Sequence, residues 1–200
     1  MNVLVFGATG RVGKAFVGQA VAAGHDVTAV VRDAKAVFPS GVTLTTFDVL
    51  DPNVASVVKR EHVIVGTLGG ADALTKGYAN IITAATQVGA KRMFALVGAG
   101  VLQADESTLR NQLPNYPERL RAIGATHAAV YEALRASSLD WTLVCVPNIV
   151  DGAPSGSMRS KASYLPDGKG AITTGDIAAF LLEEITTPRF VRQRVGLNTS

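Results

Sequence analysis

A strand-like run that breaks at glycine constrains this chain more than any other feature. In "VLVFGATGRVGKAF", residues 3–16, apolar residues stand directly against Gly7, Gly10 and Gly13, and a helical pattern follows. Glycines at three-residue spacing between a strand and a helix imply a tight turn whose backbone must stay bare. The free N–H groups at the start of that helix and the positive end of its dipole favour a phosphate. Glycine lets the chain turn, lets a pyrophosphate approach and lets helix pack on strand. The spacing is GxxGxxG rather than GxGxxG, so its context matters. A strand precedes it, a helix follows, and a second strand ends about 20 residues later, where an adenosine ribose would lie.

The alternation continues along the chain. Strands are predicted at Asn2–Phe6, Asp26–Val31, Val42–Phe47, His62–Val65, Arg92–Val97 and Trp141–Val146. Most are apolar on both faces, as parallel strands covered by helices are. The first helix carries Val12, Ala15, Phe16, Ala20 and Ala23 on one face and stops at Gly24. A second, around Leu74, Tyr78, Ile81, Ile82 and Ala85, ends at Gly89, and a third covers Pro117–Ala136. A fourth takes Thr173 or Thr174 as N-cap, with Asp176 supporting its first turn. The series predicts an α/β fold with a parallel sheet, in a single domain over residues 1–200. Two segments interrupt it, 102–117 after the fifth strand and 151–170 after the sixth. Both leave the carboxyl ends of strands, the side on which open α/β sheets bind ligands, and they are expected to contact substrate.

Composition narrows the partners. A net charge of +3 with Lys and Arg scattered along 200 residues speaks against a nucleic-acid surface and suits a small anionic ligand. No apolar run approaches the ~18 residues that span a bilayer, and no leader precedes the first strand. The single cysteine, Cys145, sits within the apolar "WTLVCVP" and reads as core, so a reducing cytoplasm is expected. No metal-binding pattern is present.

Individual residues follow from these placements. In "VVRDAK", Arg32 could clamp a 2′-phosphate, whereas Asp33 could accept from a free 2′-hydroxyl. Arg32 comes directly off the strand and Lys35 lies a turn further on, which favours NADP over NAD. Asp48, followed by Val49, ends the third strand and is placed either to meet an adenine amino group or to cap the next element. "VGTLGG" ends the fourth strand, and its Thr67, Leu68 and Gly69 allow a ribose or ring to lie against backbone, or else form a plain turn.

"GATGRVG", "VVRD" and "FDVLD" after the first three strands, with "EALRASSLDWTLVCVP" and "DGKGAITTGDIAAFLL" later, carry a family likeness. The chain resembles the atypical NAD(P)-binding short-chain dehydrogenase/reductase superfamily, in particular its NmrA-like and biliverdin-IXβ/flavin reductase types. The resemblance covers nearly the whole chain. It implies a Rossmann-type doubly wound parallel sheet, NADP binding and, in many relatives, hydride transfer. Gly7, Thr9, Gly10, Arg11, Val12 and Arg32 would then hold the nucleotide, and Leu68, Val97, Gly98, Pro147 and Asn148 would line the nicotinamide end.

The departures from that pattern are informative. The superfamily's Tyr-xxx-Lys acid pair is absent from Pro117–Ala136, Ala128 stands where NmrA-type relatives often have Lys, and Gly98 stands where a serine is usual. His127 and Tyr131 share a helix face at i, i+4 and are either core residues or active-site residues. The expected function is NADPH-dependent hydride transfer to a flavin, quinone or similar conjugated acceptor, with flavin as substrate. Two alternatives stand beside it. One is a non-catalytic NADP-binding redox sensor of NmrA type. The other is a carbonyl or enone reductase using His127 and Tyr131.

Overall fold

The computed structural model describes all 200 residues. The strands that open the chain form where the sequence predicts them: β1 (Asn2–Phe6), β2 (Asp26–Val31), β3 (Val42–Thr46), β4 (Val63–Gly66), β5 (Arg92–Gly98) and β6 (Asp140–Val146). They lie in the order β3-β2-β1-β4-β5-β6, all parallel, so the strand order reverses beside β1. This reversal is the switch point at which doubly wound sheets open a cleft at their carboxyl ends.

The sheet extends further than the sequence pattern indicates. Gln193–Thr199 is a buried strand that pairs in parallel with β6, and Met158–Ala162 pairs antiparallel to it at the edge. In chain order these are β10 and β8; β7 (Asn148–Val150) and β9 (Ala171–Thr173) form a separate two-stranded ladder. Segment 151–170, expected as a loop, therefore contains an edge strand. "QRVGLNT" has only Val195 and Leu197 as apolar residues, either side of a glycine and flanked by polar pairs, so it lacks the continuous apolar run that marks the other central strands. Its glycine is needed, because the carbonyl of Tyr164 and the chain at Leu165 cross directly over Gly196.

Helices cover both faces. α1 (Arg11–Ala22) and α4 (Thr174–Thr186) pack on one side with Val3, Val5, Phe94 and Val144; α2 (Tyr78–Val88) and α3 (Arg121–Ala136) pack on the other with Leu4, Ile64, Met93 and Leu143. Alternate residues of one strand thus feed opposite cores, the two-sided burial that the apolar strands require. At the start of α4 the Thr173 hydroxyl accepts from the Asp176 amide at 2.9 Å and donates to its carboxylate at 2.8 Å. The second helix does not begin uniformly at Leu74: a π-type turn at Ala73–Gly77 precedes α2, and Gly77 allows it to lie against Val49. A 3-10 turn at Glu118–Leu120 likewise precedes α3. No helix is long and apolar enough to cross a membrane.

Candidate functional site

The switch point opens as a groove of about 320 Å³ across the ends of β1, β2, β3 and β4. Of the residues named from the sequence, Gly7, Thr9, Gly10, Arg32, Asp48, Val49, Thr67, Leu68 and Gly69 line it, together with Val30, Val31, Phe47, Leu50 and Ala73. It continues past Thr9 and Arg32 into a second recess formed with Asp33, Lys35 and Ala36. The groove thus runs from the glycine turn to a basic corner at the end of β2.

The three glycines serve different ends. Gly7 has φ +79°, and a Cβ there would stand 2.6 Å from the Thr67 carbonyl oxygen, so the turn is locked against the end of β4. A Cβ on Gly13 would collide with the Gly7 carbonyl, which fixes the approach of α1 to β1. Gly10 alone faces outward: its Cβ would meet only Gly7 O at 3.2 Å and Thr67 O at 3.9 Å. Gly10 is the N-cap of α1 and has no side chain to cap it, and the first turn carries no acidic residue. The free amides of that turn and the helix dipole are available to an anion. Thr67 reinforces the turn by donating to the carbonyls of Phe6 and Gly7 at 3.3 and 3.2 Å.

Among the charged candidates, Asp33 spends one carboxylate oxygen on the Lys35 amide at 2.9 Å, and Asp48 spends one on the Leu50 amide at 3.0 Å. Both are therefore turn formers with one oxygen left over. Arg32 is exposed in both recesses and has no partner. Arg11 points the other way, donating to Asp151 at 2.7 Å and to the Ile149 carbonyl at 3.2 Å, so it ties α1 to the segment after β7. Val12 and Val97 are buried in the cores, leaving only their backbone to a ligand. Gly98 ends β5, and half-buried Pro147 follows β6, with exposed Asn148 opening β7, at the same carboxyl edge.

The structure gives His127 and Tyr131 different neighbours. His127 reaches Gly98, whose amide donates to Nδ1 at 3.3 Å; a Cβ on Gly98 would stand 2.9 Å from the imidazole, so the ring fills the space a serine side chain would need. Burial holds the His127 pKa below its ordinary value, favouring the neutral ring with its proton on Nε2. Tyr131, one helical turn on, has other neighbours: its ring packs edge-on to Trp141 at 5.9 Å, and the Arg194 guanidinium lies 4.4 Å over it. No hydrogen bond joins the two side chains.

Sequence reasoning passed over three residues here. Tyr78 is wholly buried, and its hydroxyl donates to the Gly66 carbonyl at 2.6 Å while accepting from the Leu96 amide at 3.2 Å, so it wedges between the carboxyl ends of β4 and β5. Asn111 and Tyr116, from the segment after β5, fold onto Gly100. The spaced glycines of "LVGAG" were the available signal, since each marks a place where another group comes close. No cluster of three or more His, Cys, Asp or Glu side chains is placed to hold a metal ion.

Known proteins share this architecture. The model of a family described as NAD(P)H-binding matches residues 7–188. YwnB of Bacillus subtilis is 26% identical over 97% of this chain and 96% of its own. A solved structure from Burkholderia pseudomallei superimposes with a TM-score of 0.89 at 26% identity, covering 99% of both chains. ChuY of Escherichia coli O157:H7, an anaerobillin reductase, does so with a TM-score of 0.82 at 25% identity, covering 100% of this chain and 97% of its own.

Proposed function

This chain belongs to the NAD(P)H-binding family, and from that premise we propose that it is an NADPH-dependent reductase that passes hydride to a flavin, a quinone or a comparable planar conjugated acceptor. The observation that carries the reading is the position of the helix-borne phenol. Tyr131 is engaged by Trp141 and Arg194, and Arg135 rather than a lysine follows it four residues on, so α3 lacks the Tyr-xxx-Lys acid pair. A simple ketone becomes an alkoxide on taking hydride and needs a positioned acid or oxyanion stabiliser. A conjugated ring system spreads the charge over itself and takes its proton from water afterwards, so stacking and orientation suffice. The likeness to ChuY supports a reductase as against a protein that only binds nucleotide.

The residues fit a dinucleotide. The bare backbone at Gly10 and the uncapped first turn of α1, with Val12 in it, suit the pyrophosphate. Thr9 stands between the two recesses, and Arg32 with Lys35 suits a 2′-phosphate. Asp48 and Val49 flank the adenine end, while Thr67, Leu68 and Gly69 lie along the ribose path. Gly98, Pro147 and Asn148, with the backbone of Val97, border the nicotinamide end. When bound, the reduced nicotinamide supplies the hydride. His127 keeps the floor of that end filled and neutral.

The test is NADPH consumption by the purified protein, followed by absorbance, with riboflavin, FMN or menadione and without an acceptor. Turnover that needs one of these acceptors is expected. Tight NADPH binding with no consumption for any of them would replace the reductase with a non-catalytic NADP-binding sensor.

A further inference from the structure

We infer that Tyr116, carried by the segment after β5, is the phenol of the acceptor site, where it donates a hydrogen bond to a carbonyl oxygen of the acceptor beside Nε2 of His127. The inference rests on the reductase reading above and names a residue that orients the acceptor.

Two glycines flank Ala99 at the carboxyl end of β5, and the space beside each is taken by a polar group. The imidazole of His127 fills the space at Gly98; at Gly100 a Cβ would stand 2.5 Å from the Tyr116 hydroxyl. Neither tip is used by the protein. With Nδ1 accepting from the Gly98 amide, Nε2 carries the proton of the neutral ring and has no partner. The Tyr116 hydroxyl likewise lacks one. The partnerless side-chain atoms that are fully enclosed are Arg92 Nε, Asn111 Oδ1 and Trp141 Nε1, so the His127 and Tyr116 donors remain open to an incoming molecule. Burial raises the Tyr116 pKa against the pull of Arg110 and Arg121, which keeps the hydroxyl protonated and able to donate.

The segment is built to hold that position. Arg121, in the first turn of α3, donates to the carbonyls of Asn111, Leu113 and Pro114 at 3.3, 3.4 and 3.5 Å, and pairs with Glu118 at 2.6 Å. The Tyr116 amide donates to the Leu113 carbonyl at 3.0 Å, and the Arg110 amide to the Leu102 carbonyl at 2.8 Å. The Asn111 side chain is wedged between Gly100 and Gly124. Two donors on a fixed backbone, either side of Ala99, suit a carbonyl oxygen of the bound acceptor and fix the orientation of its ring. This arrangement gives a carbonyl-bearing conjugated acceptor an orientation that α3 alone does not supply.

The experiment compares parent and Tyr116→Phe with riboflavin, which carries carbonyl oxygens, and methylene blue, a planar acceptor that carries none. Losing one neutral hydrogen bond should raise KM for riboflavin about five- to tenfold. KM for methylene blue and Kd for NADPH should stay within about twofold, a split that damage to the fold would not produce. An unchanged riboflavin KM, or equal rises for both acceptors, overturns the inference and leaves the reductase reading standing. Should the parent neither reduce nor bind riboflavin, judged by flavin fluorescence with NADP⁺ present, the inference also falls; turnover of menadione in that protein would still uphold the reductase.

Discussion

Replacing Arg32 by Ala separates the two nicotinamide cofactors, because only NADPH carries a 2′-phosphate. The recess that would receive it is formed by Thr9, Arg32, Asp33, Lys35 and Ala36, and Arg32 has no ion-pair partner there. A hydrogen bond to a charged group contributes about 1.5–3 kcal/mol. Since Arg32 is exposed, screening by water and salt brings the expectation to the lower end, about 1.5–2 kcal/mol. At 1.36 kcal/mol per decade, NADPH should bind roughly 10- to 30-fold more weakly to Arg32→Ala. NADH should change by less than about twofold, since a charge-assisted bond to phosphate is all that is lost. Lys35 remains as a second cation, so NADPH binding should weaken without vanishing and keep some salt dependence. The assay is fluorescence titration of both reduced cofactors against both proteins, at low and high salt. Equal losses for the two would refute the reasoning. Tighter NADH binding by the parent would transfer the position to Asp33, whose second oxygen would then hold the ribose hydroxyl.

Three further outcomes follow from the geometry. Gly10→Ala should fold, because its Cβ meets nothing nearer than Gly7 O at 3.2 Å, yet should weaken NADPH at least tenfold by standing where the pyrophosphate approaches; thermal unfolding and a binding titration check both halves. Tyr131→Phe should retain most activity and unfold within a few degrees of the parent, since its ring contacts survive; a large loss of kcat at unchanged NADPH affinity would restore it as an acid. Stability should fall as pH drops below about 6.5, the ordinary histidine value, because burial lowers the pKa of folded His127 and the unfolded chain then binds the proton more readily. That loss continues until pH passes below the folded pKa. His25 and His62 are shifted the same way, so His127→Gln should flatten the pH dependence of Tm in part, and an unaltered curve would contradict the burial argument.

The legible part of the fold was the part with strong local chemistry. β1 and β2 lie where their apolar runs predict, and Gly24 and Gly89 follow α1 and α2 with φ of +79° and +73°. β8 and β10 were not legible, because an antiparallel edge strand such as "MRSKA" needs no apolar run and β10 is buried partly by segments that arrive from far along the chain. The cleft residues at the ends of β1–β4 could be named from their place at strand ends. The different neighbours of His127 and Tyr131 could not, since i, i+4 spacing establishes a shared face but not what each side chain meets. Trp141 and Arg194, which hold Tyr131, come from two other strands.

Glycines carry the deeper lesson about reading such a site. In sequence, Gly7, Gly10 and Gly13 look alike, and a ligand would account for each. In the fold, Gly7 and Gly13 are demanded by the protein's own carbonyls, at Thr67 and at Gly7 itself, so their presence would be required with or without a nucleotide. Gly66, Gly98 and Gly100 are likewise spaces filled from within, by Tyr78, His127 and Tyr116. Gly10 differs in degree, because a Cβ there would meet only the Gly7 carbonyl oxygen closely, at 3.2 Å. An internally filled glycine reports packing, and becomes functional only where the filling group keeps unused hydrogen-bond capacity. Tyr78 has none to spare, as its hydroxyl is spent on Gly66 and Leu96, and it therefore acts as a wedge. His127 and Tyr116 keep theirs, at the carboxyl end of β5. The difference between a structural glycine and a site glycine thus lies in the hydrogen bonding of the neighbour that occupies its missing side chain, which spacing along the chain does not encode.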